Sequence, residues 1–359
     1  MSILGISLLT MICVGKGWED MEEFGLAKEA WLATFLDLRN GIPSADTFRR
    51  VLGAIDPAAF NACFIRWVQA LSEGTAGKLI AIDGKTVRHS FDRATGKKAL
   101  HVVSAWVANN RLTLGQVATD EKSNEISSIP KLLDLLDIRG ATITIDAMGC
   151  QRNIAEKIID KKADYIMGLK GNQGTAHKEV GEFFTNARAN NFLDVPHTFD
   201  ETVDGSEHGR LEVRRIWASQ KLDWFEDLPK WKGLRSIIMI ERERTVGAEK
   251  TSTERHYYWS SHVLDAKIFA AMIREHWGIE NTLHWCLDVG FREDESRIRT
   301  DHAPENIALL RKIAMNLAKS ERSNKRGIQA KRKLAAWHEP YLIKLLQAGL
   351  PASSPDSCS

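Results

Sequence analysis

The sequence has no two cysteines near enough in the chain to form a metal-binding or redox pair. Its five cysteines, Cys13, Cys63, Cys150, Cys286 and Cys358, are scattered and odd in number. That argues against a disulfide framework and a zinc knuckle, and it fits a reducing cytosol. An excess of charge is missing too: 49 Lys and Arg face 47 Asp and Glu, a net charge of +2. Any nucleic-acid partner must therefore be met through local patches. Long apolar runs are absent. Ile3 to Val14 is the nearest approach, but it falls short of the roughly 18 residues a membrane span needs. It also lacks a basic leader and runs into Gly15-Lys16-Gly17, a poor cleavage site. It reads as a helix packed against protein, and a cytoplasmic protein without a membrane partner is expected. What remains is an ordinary globular composition, 43% hydrophobic and 27% charged over 359 residues, enough for two or three domains.

The most informative stretch is Leu79-Ile80-Ala81-Ile82-Asp83-Gly84-Lys85. Both faces of this alternating strand are apolar until a carboxylate appears. Asp83-Gly84 is either turn chemistry closing a hairpin or an acid placed at the centre of a sheet to hold a divalent metal. Before it, residues 1 to 75 read as a helical module for DNA binding or dimerisation. It has one helix over Glu19 to Leu38, a second capped by Ser44, and a third over Ala58 to Leu71. After it come strands at Ala99 to Ala108 and Arg111 to Ala118, then a helix, a strand at Thr142 to Asp146, a helix, a strand at Tyr165 to Leu169 and a helix. Such crossovers place the fourth and fifth strands parallel. Three antiparallel strands followed by alternating helices and strands is the order of an RNase H-like fold. The expected fold is α/β, with a five-stranded mixed sheet flanked by helices.

Asp146 ends the second strand that stops in an acid. It either caps the next helix or shares a cation with Asp83, since neighbouring carboxylates repel without one. Residues 181 to 262 read as a β-rich insertion, with Arg210, Arg214 and Arg215 beside His208 on one hairpin arm. These residues either blunt a solvated edge or touch phosphate. A long helix over Ala266 to Leu287 places Glu280 beside an apolar seam of Phe269, Met272, His276, Ile279, Leu283 and Leu287. His276, Glu280 and His284 on one face is a zinc alternative, though without the usual short signature. Glu275, Asp288, Glu293, Asp294 and Glu295 compete with Glu280 as a third carboxylate. Finally, nine Lys or Arg lie between Arg311 and Lys333 against one acid, Glu321. This basic run, with Arg322, Lys325 and Arg326, is either a solvated helix end or a phosphate-backbone contact, and the second reading is preferred. The tail after Gly349 is expected to be disordered.

Ala81-Ile82-Asp83-Gly84-Lys85, Ile145-Asp146-Ala147, Leu169-Lys170-Gly171-Asn172-Gln173 and His276-Trp277-Gly278-Ile279-Glu280-Asn281 through Leu283-His284-Trp285 resemble the landmarks of ISAs-type, or H-repeat-associated, insertion-sequence transposases. Gly41-Ile42-Pro43-Ser44 and His208-Gly209-Arg210 extend the likeness to nearly the whole chain. The resemblance implies an Asp83, Asp146 and Glu280 triad holding two Mg²⁺ ions, with Mn²⁺ as a substitute, for cleavage and strand transfer of DNA. Its implied partners are double-stranded DNA with terminal inverted repeats and a target DNA, met as a homodimer and associated with the nucleoid. Domains would fall at 1–75, 76–180, 181–262, 263–320 and 321–359, the last a basic segment and tail. Where the wider superfamily carries Tyr, Arg and Lys around its glutamate, this chain has Ile273, His276 and Leu287. The basic role would then fall to Lys170, Arg274, His276 or His284. Relatives also carry a leader with an Asp-Pro-Arg motif, and its absence leaves a truncated or wrongly started copy among the readings of this chain. The alternatives are a catalytically impaired DNA-binding derivative and an RNase H-like nuclease that does not join strands.

Overall fold

A computed structural model of the protein describes residues 2–71, 74–93, 96–119, 125–206, 210–246 and 250–350. In chain order it contains α1 (Ser2–Ile12), α2 (Trp18–Ala27), α3 (Glu29–Leu32), α4 (Ala45–Ala54), α5 (Pro57–Leu71), β1 (Leu79–Thr86), β2 (His101–Val107) and β3 (Leu112–Ala118). There follow α6 (Glu125–Leu135), β4 (Thr142–Ile145), α7 (Arg152–Asp160), β5 (Asp164–Leu169), α8 (Gly174–Ala189), β6 (His197–Ser206), β7 (Arg210–Ser219), β8 (Ser236–Val246) and β9 (Lys250–Ser260). Helix α9 (Ala266–His276) leads into two π-helical turns, Glu280–His284 and Cys286–Gly290, and α10 (Ala303–Ser320), α11 (Ile328–Trp337) and α12 (Glu339–Gln347) complete the chain. Among the described residues no single helix is long and apolar enough to cross a membrane.

The chain divides into two compact units, Thr75–Asp83 with Glu125–Gly278, and Met1–Gly74 with Gly84–Asn124 and Ile279–Ser359. Strand β1 passes from the first into the second, and the strand order is β3-β2-β1-β4-β5-β9-β8-β7-β6. The α/β class and the mixed sheet agree with expectation. The five-strand count does not. Strand β9 pairs antiparallel with β5, from Ile166 opposite Ser260 to Leu169 opposite Tyr257. The four insertion strands therefore extend the sheet instead of standing apart. An uncovered β5 edge would present unpaired N–H and C=O groups, and the returning strand satisfies them.

In the first unit, β1 and β4 are parallel, as are β4 and β5. Helix α9 covers one face, burying Phe269 and Ile273 against Ile166, Ile216 and Ile238. In the second, α10 is buried along most of its length between α1, α4, α5 and β3. Its two asparagines replace lost water by bonding backbone. Asn306 Nδ2 donates to Leu52 O and Ile55 O (2.8 and 2.9 Å), and Asn316 bonds both the N–H and the C=O of Thr113. Ser44 caps α4 as expected, its Oγ accepting from Thr47 N–H.

Several expectations are corrected. The helix read over Glu19 to Leu38 is two helices that meet at Lys28, whose backbone leaves the helical region. Asp83-Gly84 is not a hairpin turn, because both residues lie inside β1. Residues 328–347, read as part of a basic segment, form α11 and α12. The tail from 351 onward lies outside the described residues. The basic run is not one surface, since Arg311, Lys312, Lys331 and Arg332 are all buried. Lys312 Nζ donates to Gln116 Oε1 at 2.7 Å, Lys331 Nζ to Ala318 O at 2.9 Å, and Arg332 to Met11 O. A count of charges along the chain cannot separate helix positions that face a core from those that face water.

Candidate active site

Strand register brings the first two acids together. Leu79 lies opposite Thr142 and Ile82 opposite Ile145, so Asp83 and Asp146 follow at the same level of neighbouring parallel strands. Adjacent strands run ~4.8 Å apart, and in-register residues share a face. Both acids are half-buried. Asp146 does not cap α7, which begins only at Arg152. Its Oδ1 instead accepts from the N–H groups of Met148 (3.0 Å) and Gly149 (3.4 Å), tying the carboxylate to its own loop. Burial pushes the Asp146 carboxyl above the usual range, and Glu125 pushes the same way. The two backbone N–H groups and the Lys170 charge offset this only in part.

Two glycines make room for this turn. A Cβ at Gly168 would lie 3.0 Å from Ala147 N, and one at Gly149 would lie 2.2 Å from Ile145 Cγ2. Thr144, two residues before Asp146 and on the same face, is hydrogen-bonded through Oγ1 to His276 Nδ1 at 2.9 Å. Burial drives the His276 pKa down to about 4, so the ring is neutral at physiological pH. A cavity of about 70 Å³ next to Asp146 is lined by Lys170, His256, Tyr258, His276 and Trp277. Lys170 is exposed where β5 ends.

In the other unit, Glu280 opens the first π-helical turn and is exposed, while Ile279, Leu283 and Leu287 are fully buried. The expected unbroken helix to Leu287 is thus corrected: α9 ends at His276 and wider turns follow. The extra residue in each turn destroys the simple spacing of four. His276 is buried, Glu280 exposed and His284 half-buried. Among the described residues, no three His, Cys, Asp or Glu are gathered so as to hold a metal ion. The competing acids are engaged elsewhere. Asp288 and Asp294 pair with Lys85 Nζ at 2.7 and 2.9 Å, Glu293 is buried 3.8 Å from Arg311, and Glu295 pairs with Arg292 at 2.5 Å. Glu275 is exposed like Glu280.

Comparison with known proteins adds the decisive observation. The family model described as "Transposase DDE domain" matches residues 74–317, and one described as "DDE_Tnp_1-associated" matches residues 1–68. The chain belongs to the DDE transposase family. It is 43% identical to the "Putative transposase YncI" of Escherichia coli O157:H7, an alignment covering 96% of this chain and 88% of that one. It is 40% identical to the "H repeat-associated putative transposase YhhI" of Escherichia coli K12, over 96% and 91% of the two chains. A solved piggyBac transposase synaptic complex with hairpin DNA covers 99% of this chain and 73% of its own at 12% identity. Its TM-score of 0.46 is too low to carry an argument.

The transposase commits its expected DNA-contacting residues unevenly. Arg322, Lys325 and Arg326 are exposed. Arg214 pairs with Glu212, and Arg215 with Glu201 and Glu243 at 2.7 and 2.9 Å. Arg274 is exposed, 3.8 Å from Asp204. His208 lies outside the described residues, and Arg210 begins β7. His284 is driven to about 3 by burial and by the Lys312 and Lys85 charges, so neither it nor His276 offers a cation. Missed from the sequence were Gly149, Gly168 and the Thr144 bond. Asn172 and Gln173 stood inside a quoted motif without an assigned task.

Proposed function

We propose that this transposase uses Asp83, Asp146 and Glu280 as its metal-holding carboxylates in an RNase H-like core, cuts DNA at the ends of an insertion sequence and joins the freed 3′ end to target DNA. The observation that carries this reading is that Asp83, inside β1, and Asp146, directly after β4, each follow the last register pair of these parallel strands, Ile82 opposite Ile145. The β3-β2-β1-β4-β5 order, with β2 and β3 antiparallel and β1, β4 and β5 parallel, supports the RNase H-like assignment. The donor set fits Mg²⁺ or Mn²⁺. Mg²⁺ is usually held by one or two carboxylates plus water and substrate phosphate, not by an all-protein cage. Asp146 also keeps a desolvated charge that its own neighbours do not neutralise.

Asp83, Asp146 and Glu280 would be the residues that hold the ions. Bound there, the ions would lower the pKa of the attacking water or hydroxyl and stabilise the leaving oxygen. Exposed Lys170 would meet a phosphate beside Asp146 as a point charge. Arg322, Lys325 and Arg326 would follow the backbone, and residues 1–75 would serve DNA binding or pairing of two copies on inverted-repeat ends. The test is Asp83→Asn: purified variant should lose cleavage of terminal-repeat DNA in Mg²⁺ by at least ~1000-fold, while binding that DNA as before. Retained cleavage would overturn the triad. A strand-transfer assay on the wild type separates a transposase from a nuclease that only hydrolyses.

A further inference from the structure

We infer that Asn172 and Gln173 are positioning residues for Asp146, a conclusion that rests on Asp146 being a metal-holding acid. The Asp146 carboxylate is bonded to Met148 and Gly149 N–H, so it moves with the loop that follows β4. Both ends of that loop are tied by one short helical turn, Gly171–Gln173, directly after β5. Asn172 Nδ2 donates to Ala147 O at 2.5 Å, and Gln173 Nε2 donates to Cys150 O at 3.0 Å. Cys150 N–H closes the loop onto Ala147 O at 3.2 Å, so the carbonyl that Asn172 holds is the hinge of the turn. The same loop packs on Gly168, where a Cβ would stand 3.0 Å from Ala147 N. The loop is thus held by a bare backbone and two amide side chains.

Core packing does not account for Asn172, because the residue is exposed. The Ala147 carbonyl keeps the Cys150 N–H as a partner if the side chain is absent, so the bond contributes little to the fold. What it supplies is a single orientation for the carboxylate. Groups that orient ligands in this way typically change metal affinity or activity by ~10–100-fold when removed.

The test is Asn172→Asp, which keeps shape and volume but replaces the donor with an acceptor facing Ala147 O. The expected result is a Tm within a few degrees of wild type and a roughly tenfold rise in the Mg²⁺ concentration giving half-maximal cleavage. Gln173→Ala should raise it less, by about threefold. Wild-type Mg²⁺ dependence in Asn172→Asp would overturn the inference. So would a fall in Tm large enough to account for the lost activity. Asp146→Asn is run beside them. If it still cleaves, the reading of the site itself fails, whereas a dead Asp146→Asn beside an unaffected Asn172→Asp removes only the positioning role.

Discussion

Two acids in the same sheet, Asp146 after β4 and Glu241 on β8, have opposite surroundings. Glu241 is only 4% exposed. It accepts from Arg188 Nη1 at 2.5 Å and Arg255 Nε at 2.8 Å, with Arg215 Nη1 at 3.6 Å. Strand register sets Glu201, Arg215, Glu241 and Arg255 side by side across β6 to β9, an alternating row of charge. Burial would raise the Glu241 pKa, but the Arg188 and Arg255 hydrogen bonds outweigh it and hold the carboxyl below its usual range. At Asp146 burial wins and the carboxyl is held high, with two backbone N–H groups and the Lys170 charge as opposition. Where the sheet needs a buried acid for register, arginines neutralise it. Where an acid is left with its desolvation uncompensated, as at Asp146, the metal proposed above would supply the missing positive charge.

The contrast breaks if the two acids respond alike to removal of charge. Asp146→Asn should lower cleavage by at least ~1000-fold. Its folded pKa lies above the unfolded one, so the ionised carboxylate costs stability as pH rises from the unfolded toward the folded value. The substitution should therefore leave the metal-free Tm unchanged or raise it by roughly 1–3 °C. Glu241→Ala should do the reverse. Stranding its arginines costs about 2–3 kcal/mol, a fall of roughly 5–10 °C in Tm, with Mg²⁺-dependent cleavage retained below the new melting point. A smaller effect should follow pH. The His276 pKa is depressed to about 4 from an ordinary 6.5, so the unfolded chain takes up the proton first. Stability is lost as pH falls from 6.5 toward 4, and His276→Gln should flatten that part of a Tm-against-pH curve.

Legibility in the sequence followed the physics of each element. The apolar strand leading into Asp83 was readable, though it runs on to Thr86, and so was the crossover that sets β4 beside β5, because alternation and handedness are local rules. The charge patches were not. Arg215 and Arg311 look alike along the chain, yet one stands in a cross-strand row and the other is buried near Glu293. The motif containing Asn172 and Gln173 was visible as a string, but its purpose depends on a loop more than 20 residues away in sequence.

By itself the sequence determined the α/β class, the two acids on or directly after apolar strands and the motifs that place the chain among DDE transposases. These rest on periodicity and on residues that are neighbours in the chain. Tertiary structure alone decided that the insertion strands join the sheet through β5, and that four of nine clustered basic residues are buried. It also decided that Asp146 is held by a loop packed on Gly168 and bonded by Asn172. Burial and hydrogen-bond partners are set by which surfaces meet, and no window of consecutive residues contains that information.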